Sequence, residues 1–307
     1  MYLQRHIYKI ICTIFCLFLA NKIGFPQDFQ EIVTKDITER TSINQNDFFS
    51  QLDFAFINEK YLIDLFSSTD SIPECFIAID YYWWMIIAGE KSSEMKKKLI
   101  YQMEVTKQEF TDAKNDLALV FVLSYELRVN LYYNKIFSAI LSLNKINRRL
   151  YSYQKVQGSF NNEYFLLLKS LVGYMIAYIN DKYPFYYTLL IHQMCIDKKY
   201  SIYQLKRLTR SKNIIVSTES NYFLMKIFFD NEHDFQSAEK YARTLAIYYP
   251  GNFIFSYYYV RILIENQNIY QAQVEKKRTL EYATNNCKLS ETQKKYCKSL
   301  FQCLLKD

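Results

Sequence analysis

From Asp47 onward the apolar positions of this chain recur at helical rather than strand spacing. Phe48, Leu52, Ala55, Phe56 and Tyr61 with Leu62 recur at helical spacings, and Asp47 is placed to cap that run. Ser71-Ile72-Pro73 opens a second helix, with Pro73 in its first turn, and Gly89 closes it. Between them Phe76, Ile77, Ile79, Tyr82, Trp83, Ile86 and Ile87 lie on several faces, which predicts a helix buried on more than one side. Further helices are predicted at about 92–110, 114–131, 135–151, 161–180, 184–195 and 201–211. After a break at Ser211-Lys212-Asn213 they resume at about 218–230, 234–249, 252–266, 268–285 and 290–305. No segment alternates with period two long enough to make a strand.

Composition agrees with an all-α fold. The chain has 29 Tyr and 23 Phe but only 5 Gly and 4 Pro among 307 residues. Sandwiches, barrels and doubly wound sheets need those turn residues, whereas helices joined by short polar turns do not. Half the residues are hydrophobic, enough for a core.

Two segments set apart by 34 residues stand out. Ala238, Tyr241, Ala242 and Leu245 form an apolar stripe, with Tyr222, Met225 and Phe229 on the helix before it and Pro250 after it. Ala272 follows Ala238 by 272 − 238 = 34 residues, within a weaker copy that has Tyr259, Val260 and Leu263 ahead of it. This is the spacing of a tetratricopeptide repeat, in which Ala is needed where two helices cross too closely for a larger side chain. One such hairpin cannot bury its own face, so neighbours must stack on it, and the last predicted helix serves as a cap. The expected architecture is therefore antiparallel helix pairs in a tetratricopeptide-like α-solenoid. Its expected organisation is residues 1–27 as a signal peptide, 28–46 as a polar lead-in, 47–211 as an N-terminal helical bundle or degenerate pairs, and 212–307 as repeats with a capping helix.

The segments Thr218 to Leu224, Asp234 to Ala238 and Tyr248 to Asn252, with Ile72-Pro73 and Tyr82-Trp83-Trp84 upstream, carry a resemblance. The chain resembles tetratricopeptide proteins exported by Bacteroidetes, themselves distantly similar to eukaryotic tetratricopeptide proteins of the inclusion-body-clearance type. The resemblance covers residues 47–285 and implies an all-helical fold with no catalytic residues to carry over.

Export is predicted independently. Arg5 and Lys9 precede an apolar run, Ile10 to Ala20, about half the length a spanning helix requires. An uncleaved anchor is the alternative to cleavage, and the expected location is the periplasm or an association with the outer membrane. Removing 1–27 lowers the net charge from +7 to 7 − 3 = +4, too mild to imply nucleic acid. The five cysteines left, Cys75, Cys195, Cys287, Cys297 and Cys303, are too widely spaced for a disulfide framework and read as small buried hydrophobes; a Cys287–Cys297 or Cys297–Cys303 pair is the alternative.

Candidate chemistry is sparse. His233 sits in the turn Asp230-Asn231-Glu232-His233-Asp234, where Glu232 and Asp234 flank it as potential ligands, but adjacent residues rarely converge on one ion. His192 and Cys195 share a spacing of three without a third partner. No phosphate loop, metalloprotease helix or serine-nucleophile motif is present. Neither a metal nor a cofactor is expected, nor is catalysis. Lys206, Arg207, Arg210 and Lys212 gather at a helix end, where they complement the dipole or bind an anion or phospholipid. The runs Tyr81-Tyr82-Trp83-Trp84 and Tyr257-Tyr258-Tyr259 cannot all share one helix face, so some rings must meet a neighbouring element or solvent. Tyr82, Trp83, Trp84, Tyr257 and Tyr258 are thus candidate interface aromatics, with core packing the alternative. The expected function is an interaction scaffold of the cell envelope that docks a peptide or partner subunit in a helical groove. A solute- or glycan-binding component using exposed aromatics is the other reading.

Overall fold

A computed structural model describes residues 74–89, 93–112, 115–157, 162–190, 197–286 and 289–304. Among them every regular element is helical. The α-helices are α1 (Glu74–Ile87), α2 (Ser93–Asp112), α3 (Asp116–Tyr132), α4 (Ile136–Gln157), α5 (Glu163–Lys182), the short α6 (Pro184–Tyr187), α7 (Lys198–Leu208), α8 (Ile214–Lys226), α9 (Phe235–Tyr248), α10 (Phe253–Glu265), α11 (Ile269–Asn285) and α12 (Glu291–Gln302). One turn of π-helix, Ile227–Asn231, extends α8.

The helix starts explain how so few glycines and prolines suffice. Asn115, Asn162, Asp197, Asn213, Asp234, Asn252, Asn268 and Ser290 each cap a helix, with a side-chain oxygen accepting a backbone N–H of the first turn. At Ser290 the Gln293 side chain also accepts from the cap's own N–H, completing a capping box. Gly89, Asn134, His233 and Gln267 have positive φ and reverse the chain between α1 and α2, α3 and α4, α8 and α9, and α10 and α11.

Antiparallel pairs follow one another: α1 with α2, α3 with α4, α5 with α7, α8 with α9, and α10 with α11, while α12 packs on α10 and α11. First helices also meet first helices, α1 on α3, α3 on α5, α5 on α8 and α10 on α12. The last two pairs are equivalent along the chain. The left-handed residues His233 and Gln267 are 267 − 233 = 34 apart, the caps Asp234 and Asn268 are 268 − 234 = 34 apart, and so are the fully buried Ala238 and Ala272. Ala238 and Ala242 are both inaccessible where α9 crosses its neighbours, as a close helix crossing demands. Pro250 stands exposed two residues past the end of α9, where its missing N–H and fixed φ stop the helix.

Several boundaries differ from the sequence expectation. α7 begins at Lys198 rather than at Ser201 because Asp197 caps it, and α8 begins at Ile214 because Asn213 does. The helix expected over 184–195 ends at Tyr187 and passes into a turn. The helix expected from Asp47, the lead-in and the leader lie outside the described residues.

Candidate functional site

The helix α1 packs against helices distant from it in the chain, α8, α10 and α12. Trp84 of α1 meets Tyr222 of α8 and Phe255 of α10 edge to face, with ring centroids 5.8 and 5.3 Å apart. One residue on, Met85 Sδ accepts a hydrogen bond of 3.4 Å from Gln293 Nε2 on α12. At the end of α1, Gly89 lies so close to Tyr296 of α12 that an added Cβ would be 2.8 Å from that side chain. The first hairpin therefore packs against the last helices, through the Trp84 and Met85 side chains and through the close approach of Gly89 to Tyr296.

This packing settles where the candidate aromatics lie. Trp83, Trp84, Tyr257 and Tyr258 are buried, and Tyr82 is half-buried. Every residue from Phe253 to Val260 is buried, because α10 is enclosed by α9, α11 and α12 and by Trp84 from α1. None of the rings of Tyr257-Tyr258-Tyr259 is left to solvent. The repeat positions Tyr222, Met225, Phe229, Ala238, Ala242 and Ala272 are likewise buried.

Three polar clusters, two buried and the third part-buried, tie the hairpins together, none of them evident in the sequence. In the first, Tyr125 Oη of α3 donates to Asp80 Oδ1 of α1 at 2.6 Å, and Arg128 Nη2 of α3 donates to Glu219 Oε2 of α8 at 2.8 Å. The guanidinium also lies 4.5 Å from the centroid of Tyr125 and 5.2 Å from that of Phe223. Burial, with the Glu219 carboxylate beside it, pushes the Asp80 carboxyl up to about 7, against the opposing hydrogen bond of Tyr125 and the charge of Arg128. Burial disfavours charge on Arg128, but Glu219, Tyr125 and Asp80 outweigh it and hold the guanidinium protonated.

In the second cluster Lys226, only 1% exposed, extends from α8 to α10. Its Nζ donates to Tyr258 Oη at 2.9 Å and lies 2.5 Å from Asp230 Oδ2. The lysine is accommodated because Asp230, four residues on, supplies a counter-charge on the same face. The third cluster uses the residues that follow. Tyr174 Oη of α5 donates to Glu232 Oε1 at 2.6 Å and accepts from Asn231 Nδ2 at 3.1 Å, and Lys198 Nζ of α7 pairs with the same Glu232 oxygen at 2.8 Å. Burial and the Glu232 hydrogen bond raise the Tyr174 phenol far above its ordinary value.

These groups are bonded to one another and join helices distant in the chain. His233 is exposed in its turn, Glu232 points to Tyr174, and Asp234 caps α9 by accepting from Ser237 N at 3.0 Å. Among the described residues no three His, Cys, Asp or Glu side chains gather around a point where a metal ion would sit. Cys297 is a buried thiol, pushed up to about 12 by its burial, and Cys303 is exposed; neither forms a disulfide. His192, Cys195 and Cys287 lie outside the described residues, as does the side chain of Cys75.

The accessible apolar side chains have a different distribution. Tyr101 and Val105 on α2, Phe137 and Leu141 on α4, and Tyr270 and Val274 on α11 are exposed pairs four residues apart. Others lie on α7 (Tyr200, Tyr203), on α9 (Ile247, Tyr248) and around α6 (Phe185, Leu189). Each of these lies on the second helix of a pair or around α6, and none among the described side chains of α1, α3, α8 or α10. No helix among the described residues is long and apolar enough to cross a membrane. No protein-family model, characterised protein or solved structure matches the chain.

Proposed function

We propose that this protein is a non-enzymatic interaction scaffold of the cell envelope, an α-solenoid of tetratricopeptide-like hairpins that binds a protein partner on its outer helices. The supporting observation is the pairing of exposed apolar residues, Tyr101 with Val105, Phe137 with Leu141 and Tyr270 with Val274, on three separate second helices. Side chains four apart share one helix face, and such pairs gain nothing from exposure unless something covers them. In a solenoid the inner groove is the usual place for a peptide, and here Trp84 and Met85 of α1 pack against α8, α10 and α12. The outer surface is therefore the better docking face in this chain, and the 34-residue equivalence of the last two pairs supports the solenoid reading.

The test is photo-crosslinking from single positions in cells that make the protein. A crosslinker at Tyr270 or Phe137 is expected to capture one recurring protein, and Tyr270→Glu with Val274→Glu to abolish that capture while leaving circular dichroism unchanged. If the same protein is captured equally from the buried position Tyr258, or if the double substitution changes nothing, the outer-face reading fails. A melting temperature raised by an oligosaccharide, with no protein captured, would instead favour the glycan-binding reading.

A further inference from the structure

From Lys198 to Lys212 the chain carries Lys198, Lys199, Lys206, Arg207, Arg210 and Lys212 and no acid, six positive charges in a protein whose whole formal net charge is +7. These six cations are concentrated on α7 and the turn that ends it. Ser201, Gln204, Leu205 and Leu208 turn one side of α7 into the protein, against α5 and α8. The other side is left exposed, with Lys199, Tyr200, Tyr203, Lys206, Arg207, Arg210 and Lys212 on it.

Some of this charge is already answered. Lys198 pairs with Glu232, Lys206 acts on the nearby Asp234, and Glu163 accepts a hydrogen bond of 2.5 Å from Ser211. Among the described residues, however, Lys199, Arg207, Arg210 and Lys212 take part in no ion pair. An apolar ring lies at the same end of the molecule as the start of α7. Lys198 Nζ is 5.9 Å from the ring of Tyr178, Tyr178 is 6.2 Å from Tyr183, and Phe185, 74% exposed, follows in α6.

We infer that the outward face of α7 docks on an anionic lipid bilayer, its cations on the headgroups and its tyrosines at their level. Tyrosine rings with a polar tip suit the boundary between headgroup and acyl chain, and clustered Lys and Arg on one helix face suit acidic lipid. A nucleic-acid strand would need a groove with a second basic wall to follow its backbone. Here the cations lie on the convex side of one helix of eleven residues, a length of about 16 Å.

The full-length chain and its Lys199→Gln/Arg207→Gln/Arg210→Gln variant are sedimented with vesicles of phosphatidylcholine alone or with about one-third phosphatidylglycerol. All three positions are exposed, so the variant keeps its fold, which circular dichroism verifies. The apolar run Ile10 to Ala20 and the cations Arg5, Lys9 and Lys22 are common to both proteins, so the inference is read from the difference between the two and not from total binding. Each cation near an acidic surface strengthens binding about fivefold, so the triple variant should bind anionic vesicles about a hundredfold more weakly. Wild-type binding should also fall steeply as salt is raised, as screening requires. Equal binding to both vesicle types, or an unchanged affinity in the variant, overturns the inference. Capture of a single-stranded oligonucleotide with no binding to anionic vesicles also overturns it, and reassigns the face to nucleic acid.

Discussion

The indole of Trp84 stands edge-on to the ring of Phe255, centroids 5.3 Å apart and planes at 82°, and so joins the first described helix to the tenth. A large aromatic side chain can join helices distant in the chain, and here it packs α1 against α8 and α10.

Replacing Trp84 by Ala should therefore cost about 3–5 kcal/mol of stability, the range for deleting a buried aromatic. Urea unfolding followed by circular dichroism measures it, and Trp84→Phe should lose less. Both tryptophans of the chain lie on α1, so the emission of Trp83 in the variant reports whether α1 stays seated. An unchanged urea midpoint would show that the packing of α1 contributes little to stability.

The Asp80 carboxyl gives that packing a pH dependence. Its folded value of about 7 lies above its ordinary 3.8, so the folded protein holds a proton that the unfolded chain has released. Stability from this group is fully present below about pH 4 and is lost as pH rises through 7. Tyr125, Arg128, Glu219 and Trp84 face the carboxyl and set this balance. In Asp80→Asn the urea midpoint should vary less between pH 5 and 8 than in the wild type; an identical profile would remove Asp80 as the source.

Lys226 should be costly to remove alone and cheaper to remove with its partner. Lys226→Met leaves Asp230 without its cation, at about 3–5 kcal/mol. The further change Asp230→Asn should restore part of that, giving a coupling of about 1–3 kcal/mol in a double-mutant cycle. Additive effects would show that the two side chains, 2.5 Å apart, do not interact energetically.

At Gly89 both backbone and neighbour forbid a side chain. Its φ is +101°, and a Cβ would lie 2.8 Å from Tyr296. Gly89→Ala should cost about 2–3 kcal/mol by combining backbone strain with overpacking. Gly89→Asn tolerates positive φ better but meets the same ring, so it should lose nearly as much. If Asn proves neutral, backbone strain alone is the cause.

The helices themselves were legible because each is written locally. Asn115, Asn162, Asn252 and Asn268 cap their helices by bonds to the next turn, and Ala238 and Ala272 mark equivalent crossings 34 residues apart. The pairing of α8 with α9 and of α10 with α11 follows from short turns. The π-turn at Ile227–Asn231 was not legible, because it is held by contacts to Tyr174 and Lys198 from helices distant in sequence.

The candidate interface suffered most from that limit. A hydrophobic period tells which residues share a face, but not whether that face meets solvent or a returning helix. Trp83, Trp84, Tyr257 and Tyr258 read equally well as a docking surface or as core until α1 is placed against α8, α10 and α12. The sequence by itself determined helix type, the approximate place of the helices and the 34-residue period, since those depend on neighbours within a turn or two. Only the tertiary structure decided that α1 packs against α8, α10 and α12, that Arg128 pairs with Glu219 beside the buried Asp80, and that the exposed apolar pairs lie on α2, α4 and α11. Those outcomes depend on contacts between residues far apart in the chain, which no local pattern records.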